Sequence, residues 1–393
     1  MMIIGCDFHP SWQQVSWVDT ETGETGVRKL VHASGDAKLF YERLARPARI
    51  GMEATGNSQW FIELVEDLGH EVWIGDAAQI RASYVRKQKT DKRDADHILK
   101  LMMENRFPRL WTPDREQRDL RQLVLHRHNL VEMRSRVKNE LQHLSLNKGM
   151  QRKHKLWSQA GQKLLRELPL KPWAACRRED LLGLLATMEE QIGRLDAAVQ
   201  RAAEQHPQAC LLMTQPGVGP NTALAYVLTI GDVSRFARSK QVASYLGLIP
   251  REESSGGRQK LGAITKQGNR MLRSLLVEAA QIAVRFDPGM RKQYLHRCHQ
   301  KPKGVAKVAA ARKLAVRLYW MLRTNVAYPE IVRIESGPRV PLVGASLTVG
   351  LIGRSRIPRG WWKSGKRKPV FHFPTTPAAA AAGCSHRRIM VDV

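Results

Sequence analysis

Acidic residues, cysteines and long apolar runs are all scarce in this chain, and each shortage argues against a class of protein. The 393 residues hold 36 Asp and Glu against 64 Lys and Arg, a net charge of +28. So large a surplus suits a polyanionic partner, because neutralising phosphates releases condensed counterions. A basic membrane-surface protein needs an amphipathic anchor or a lipidation motif, and the sequence offers neither. The five cysteines (Cys6, Cys176, Cys210, Cys298, Cys384) are odd in number and never spaced Cys-x-x-Cys. That spacing argues against a disulfide framework or a zinc site and fits a reducing compartment. No apolar run reaches transmembrane length, and Met1-Met2-Ile3-Ile4-Gly5 enters a strand with no basic n-region before it. A cytoplasmic, nucleoid-associated protein without a membrane partner is therefore expected.

What is present is enough apolar sequence, 43%, for two or three packed domains. Short alternating runs predict strands at Ile3–Asp7, Gln13–Asp19, Gly26–Val31, Arg49–Glu53 and Glu71–Gly75. Helical patterns fall at Lys38–Leu44, Trp60–Leu68 and Lys92–Glu104. Three successive strands followed by β/α alternation predict an α/β domain with a mixed sheet over residues 1–108. Residues 109–206 read as a helical, coiled-coil arm. Leu181, Met188 and Leu195 interleave there with Leu185, Ile192 and Val199 as an a/d seam, either a packing spacer or a dimer-forming or nucleic-acid-gripping arm. A basic loop (Lys148, Arg152, Lys153, Lys155) divides it. Residues 207–326 form a mainly α, Gly-punctuated C-terminal domain. Residues 327–393, with Trp361-Trp362, Lys366-Arg367-Lys368 and Ala378–Ala382, read as a basic, disordered tail.

Two groups of residues carry chemistry. Asp7 and Glu53 end strands, while Asp91 and Asp94 share one face at a helix start. Four converging carboxylates repel one another unless cations lie between them, and hard oxygen ligands suit Mg²⁺. Two such ions stabilise the attacking and leaving oxygens of a phosphoryl displacement. Singly, each residue has a plainer role: Asp7 as a strand-end turn former, Asp91 as an N-cap, Asp94 as a solvated helix residue. The second group begins with Gln215-Pro-Gly-Val-Gly-Pro220, a turn into a helix start whose Gly217 and Gly219 free backbone N–H groups for a phosphate. It continues with Arg251-Glu-Glu-Ser-Ser-Gly-Gly-Arg258 and Lys266. A serine there needs activation, which Arg251 and Arg258 could assist by holding a phosphate. The alternative is a Ser-Gly-Gly turn whose hydroxyl caps the backbone.

Taken in order, several motifs resemble those of the DEDD transposases of bacterial insertion sequences. They are Asp7 after the first strand, Glu53-Ala-Thr-Gly56, Lys89-Thr-Asp-Lys-Arg-Asp-Ala95, Pro216-Gly-Val-Gly219 and Gly247-Leu-Ile-Pro250. Ser254-Ser-Gly-Gly257, Ile264-Thr-Lys-Gln-Gly-Asn269 with Leu272-Arg273, and Ala311-Arg-Lys-Leu314 complete the set. The resemblance implies an RNase H-like, RuvC-like N-terminal domain in which Asp7, Glu53, Asp91 and Asp94 bind Mg²⁺. It also implies a C-terminal domain whose loop serine, Ser255 with Ser254 as the alternative, forms a covalent phosphoserine-DNA intermediate. It further implies donor and target DNA, a structured bridge RNA that pairs with both, and a dimer or tetramer with composite sites. The aromatic expected soon after Gly56 is delayed to Trp60, and the tail has no counterpart. Two rivals stand beside this recombinase: a RuvC-like structure-selective endonuclease using water as nucleophile, and a non-catalytic nucleic-acid-binding protein.

Overall fold

A computed structural model describes residues 1–84, 90–150 and 156–336. Lys89, the loop cations Arg152, Lys153 and Lys155, and residues 337–393 of the expected tail lie outside the described residues. The start of that tail, Tyr328–Ser336, is helical rather than disordered, with Ile331 buried. The chain opens as an antiparallel meander of β1 (Met2–Phe8), β2 (Trp12–Asp19) and β3 (Thr25–Val31). Helix α1 (Asp36–Glu42) leads to β4 (Ala48–Glu53), and α2 (Gln59–Asp67) to β5 (Glu71–Gly75). Both of these strands lie parallel to β1, so the sheet order is β3-β2-β1-β4-β5. This mixed sheet is the RNase H-like arrangement expected above.

Helices cover both faces, which is why β1 is apolar at successive positions rather than alternate ones. Ile4, Cys6, Ile50 and Met52 pack with Tyr41, Phe61 and Val65 from α1 and α2. On the other face Ile3 meets α3 (Ala77–Ala82) and α4 (Asp91–Met103) through Ile80, Ile98 and Met102. The short α3 was not expected; Asp76 caps it by accepting from the Ala78 and Gln79 N–H groups.

Two glycines let α4 lie almost on the strands. Gly5 and Gly51 are register partners on β1 and β4. A Cβ on Gly5 would come 2.3 Å from the Ala95 carbonyl oxygen, and one on Gly51 2.2 Å from Met102 Sδ. The Ser16 hydroxyl on β2 donates to Asp96 Oδ1 at 2.5 Å, fixing the helix along the sheet. Gly5→Ala collides with backbone, so it should cost about 3 kcal/mol, the upper end for overpacking. Gly183→Ala faces open space inside a helix and should be neutral or stabilising by ~0.5–1 kcal/mol. Urea denaturation of the two variants checks the contrast.

The remaining structure is mainly helical. Long helices α5 (Arg115–Leu146) and α7 (Pro172–Gln205) pack on each other, with α6 (Gln159–Arg166) between them in sequence. Leu185 and Met188 of the heptad seam are buried against Val137 and Leu141 of α5, while Val199 joins the core of the C-terminal helices. These seam residues thus pack within the chain, the spacer role that was one of the two readings of the arm. A heptad repeat specifies an apolar stripe, not which helix covers it.

Beyond it come α8 (Pro207–Met213), α9 (Pro220–Ile230), buried from Thr222 onward, and α10 (Ser239–Tyr245). A hairpin of β6 (Pro250–Glu252) and β7 (Leu261–Ile264) follows. The last helices are α11 (Arg270–Phe286), α12 (Pro288–Gln300), α13 (Lys303–Thr324) and α14 (Tyr328–Ser336). Buried hydroxyls tie them together: Tyr226 donates to the Ala315 carbonyl at 2.7 Å, and Tyr319 to that of Phe236 at 2.9 Å. Arg317 and Asp287, each 2% exposed, form a buried ion pair. Burial pushes the Asp287 carboxyl up, but the Met290 N–H and Arg317 outweigh it and hold it below the ordinary range. Arg317→Met leaves that carboxylate without its partner and should cost about 3–5 kcal/mol, measurable as a lower urea midpoint. The depressed Asp287 contributes its stability above the unfolded carboxylate pKa and loses it as pH falls through the folded one. The acid limb of the wild-type stability profile should therefore be shallower in Asp287→Asn.

Candidate active site

The geometry begins at the C-terminal edge of β1. The register ends at Cys6↔Met52, so Asp7 and Glu53 are the next residues on two adjacent parallel strands. Glu53 is held from the other side by its pairing with Gly75 of β5. Asp91 and Asp94 stand in the first turn of α4, whose N-cap is Thr90 rather than Asp91. Because Gly5 presses α4 onto β1, that first turn arrives beside Asp7. Asp94 is only 6% exposed, so it is not a solvated helix residue.

The carboxylates sense one another. Burial raises the Asp7 carboxyl; His9 pulls it down, and the charges of Asp94 and Asp91 push it up again, leaving it above the ordinary range. Tyr84 donates to Asp94 Oδ1 at 2.7 Å. Burial, that hydrogen bond, and the charges of Asp94, Asp7 and Glu53 hold its phenol above its usual value, so it stays a donor. All four sequence-selected acids are therefore gathered at one end of the sheet.

Two neighbours escaped the sequence reading. His9 Nε2 lies 3.2 Å from Asp7 Oδ2 and 3.9 Å from Asp91 Oδ1. Ligand atoms of Asp7, His9 and Asp91 all fall within 4.8 Å of one another. The His9 ring stacks on Trp12 at 4.1 Å, which orients it. Its spacing two residues after Asp7 was the available signal. Tyr84 is stacked on His97 at 4.0 Å, and His97 Nε2 lies 2.7 Å from the Ser83 hydroxyl. Only the unexpected α3 brings Ser83 and Tyr84 to α4. An oxygen-rich donor set fits a hard divalent cation, and the Tyr84 hydrogen bond orients Asp94 toward it.

The serine hairpin is a separate, solvent-exposed feature. Ser255-Gly256-Gly257-Arg258 closes it, with φ of 55° and 75° at the two glycines and the Arg258 N–H donating to the Ser255 carbonyl at 3.1 Å. Both central residues need positive φ in such a turn, which glycine supplies without strain. The two hydroxyls differ. Ser254 Oγ donates to Glu252 Oε1 at 2.7 Å and accepts from the Lys260 N–H at 3.1 Å. Ser255 Oγ has no hydrogen-bond partner among the described residues and stands at the tip. Arg251 and Arg258 are exposed on the same hairpin, while the exposed Lys266 follows β7 at its base, its N–H donating to the Gly247 carbonyl at 3.2 Å. The hairpin's substantial packing is between its own two strands, not with β1, β4 or α4.

The turn into α9 has a structural reason for its first glycine. Gly217 has φ +88°, and a Cβ there would meet the Ala279 carbonyl oxygen at 2.5 Å. Gly219, the N-cap of α9, has open space around its Cα.

Comparison with known proteins agrees with these features. A family model described as "Transposase", for DEDD transposases of the IS110 type, matches residues 4–146. The model "Transposase IS116/IS110/IS902 family" matches residues 209–295. The chain is 30% identical over 334 residues to a Pseudomonas aeruginosa protein named "Probable family 20 transposase", covering 83% of this chain and 98% of that one. It is 28% identical to the Coxiella burnetii "Transposase for insertion sequence element IS1111A", covering 72% and 78%. A "Pilin gene-inverting protein" of Moraxella bovis is 35% identical over 146 residues, 36% of this chain and 44% of its own length. The carboxylate-bearing sheet and the helical C-terminal region are thus matched in one chain, which belongs to the IS110-type family of DEDD transposases, enzymes that move DNA by phosphoryl transfer.

Proposed function

We propose that Asp7, Glu53, Asp91 and Asp94 hold Mg²⁺, as two ions, and that Ser255 is the nucleophile of a serine-dependent DNA recombination. The placement of four acids at one sheet end, where the charges of Asp94 and Asp91 add to burial in holding the Asp7 carboxyl up, carries this reading. Bound there, the cations supply charge stabilisation to the attacking and leaving oxygens at a scissile phosphate. The chain's own part is positional. Asp7 and Glu53 are fixed by strand ends, Asp91 and Asp94 by α4, and Asp94 is aimed by Tyr84. At the hairpin, Ser255 Oγ forms a bond to phosphorus as the bond to the departing strand oxygen breaks. The phosphodiester energy is retained in the protein–DNA link for rejoining. Arg251 and Arg258 of the same hairpin take that phosphate, and Gly219 and Lys266 supply further nucleic-acid contacts. Because the hairpin does not pack on the carboxylates, the serine of one protomer serves the acids of another in a dimer or tetramer. Sequence choice falls to a paired bridge RNA rather than to side chains.

The separation of hairpin and acids also favours a second reading, a resolvase-like endonuclease in which water attacks. Metal binding is common to both and is tested first. Mn²⁺ titration monitored by electron paramagnetic resonance should show weakened binding in each of Asp7→Asn, Glu53→Gln, Asp91→Asn and Asp94→Asn. Unchanged affinity removes that residue from the site. Tyr84→Phe keeps the ring stack on His97 but loses the hydrogen bond to Asp94, and should weaken Mn²⁺ by about 10–100-fold.

A further inference from the structure

Between Asp287 and Glu330 the sequence contains no acidic residue, while ten Lys and Arg fall in the same stretch. Of the two acids that bound it, Asp287 is consumed by the buried pair with Arg317 and Glu330 lies on α14. This stretch builds α12 and α13. Elsewhere the chain pairs its helical cations: Arg127 with Asp196, Lys138 with Glu189, Arg177 with Glu140, Arg115 with Asp67. On α12 and the start of α13, Arg291, Lys292, Arg297, Lys301, Lys303 and Lys307 have no acidic partner among the described residues.

The helix is also poorly buried. Met290 is its one buried residue, with Tyr294 and Cys298 following at four-residue steps as a narrow inward stripe. The rest of α12 is exposed, and Arg297 and Lys313 flank the shallow groove between α12 and α13. Like charges at helical spacing destabilise a helix, so this surface carries a repulsion that the fold itself does not relieve. A polyanion relieves it. Thirteen residues span about 20 Å, over which a duplex presents roughly a dozen phosphate charges.

We infer that the exposed face of α12, continued by Lys301, Lys303 and Lys307, is a docking surface for the phosphate backbone of a DNA duplex. It is distinct from the serine hairpin and from the carboxylate cluster, and does not depend on the metal or serine assignments. Contact is to phosphates, so it positions a duplex without reading its sequence.

The test compares two variants of equal charge. One carries Arg291→Gln, Lys292→Gln, Arg297→Gln and Lys301→Gln. The other carries Arg43→Gln, Arg166→Gln, Arg194→Gln and Arg201→Gln, exposed cations on other elements. Binding of a DNA duplex and of an RNA hairpin is followed by fluorescence anisotropy across a salt titration in EDTA. The α12 variant should lower the slope of log K against log salt by about 0.9 for each lost phosphate contact on DNA, hence by roughly 2 or more for several contacts. The second variant should leave it close to wild type. A lowered slope with the DNA duplex supports the surface; a change with the RNA hairpin alone overturns DNA as its occupant. Equal changes in the two variants, or none in the α12 variant, overturn it. If the α12 variant melts early, Lys301→Gln with Lys303→Gln and Lys307→Gln, at the exposed turn and the start of α13, gives the same reading.

Discussion

Asp94→Asn is expected to reduce DNA cleavage by more than about 100-fold, beyond the range seen for partners that only orient a ligand. The change is isosteric, and the amide oxygen can still accept from Tyr84, so the packing of α4 on the sheet is retained. Removing one charge from a cluster that already raises the Asp7 carboxyl relieves repulsion in the metal-free protein. Its melting temperature should therefore be unchanged or higher, while cleavage is lost. Nucleic-acid binding in EDTA should match wild type, because the basic surface is untouched. A variant that melts normally, binds DNA and still cuts at the wild-type rate places Asp94 outside the chemistry.

Ser255→Ala should have the larger effect on recombination, on the order of 10⁴-fold or more, since loss of a nucleophile removes the covalent route entirely. Ser254→Ala is the matched control. Its hydroxyl is spent on Glu252 and the Lys260 N–H, so its loss should cost the hairpin about 1 kcal/mol and leave recombination within several-fold of wild type. Excision from a donor plasmid, scored beside binding, separates the two. Equal loss in both variants points to hairpin shape rather than a nucleophile.

The sheet was legible in the sequence because strand periodicity and turn chemistry are local. All five strands fall within a residue or two of the expected spans, and strand ends nominate Asp7 and Glu53 without further information. What was not legible depends on approach between elements. The role of Gly5 appears only when α4 lies against β1. Helix α3, six residues long, has too little periodicity to detect, and with it Tyr84 stayed hidden. The Leu185–Val199 seam shows the opposite limit: the stripe was visible, but the sequence did not choose between packing within the chain and a second protomer. The resemblance already favours Ser255 over Ser254, but the hydrogen bonds that occupy the Ser254 hydroxyl exist only in the folded hairpin.

The most direct measurement is capture of the protein–DNA bond itself. Wild-type protein is incubated with Mg²⁺ and a labelled, nicked suicide substrate, together with its RNA-bearing native flanks, then quenched in denaturant and resolved in SDS. A serine nucleophile requires labelled DNA that migrates with the protein and, after digestion, maps to Ser255. The adduct should be absent in Ser255→Ala, present in Ser254→Ala, and strongly reduced in Asp94→Asn. DNA that is cut with no adduct in any variant contradicts a serine nucleophile and leaves water as the attacking group. An adduct that survives Ser255→Ala and disappears in Ser254→Ala contradicts the assignment of the serine.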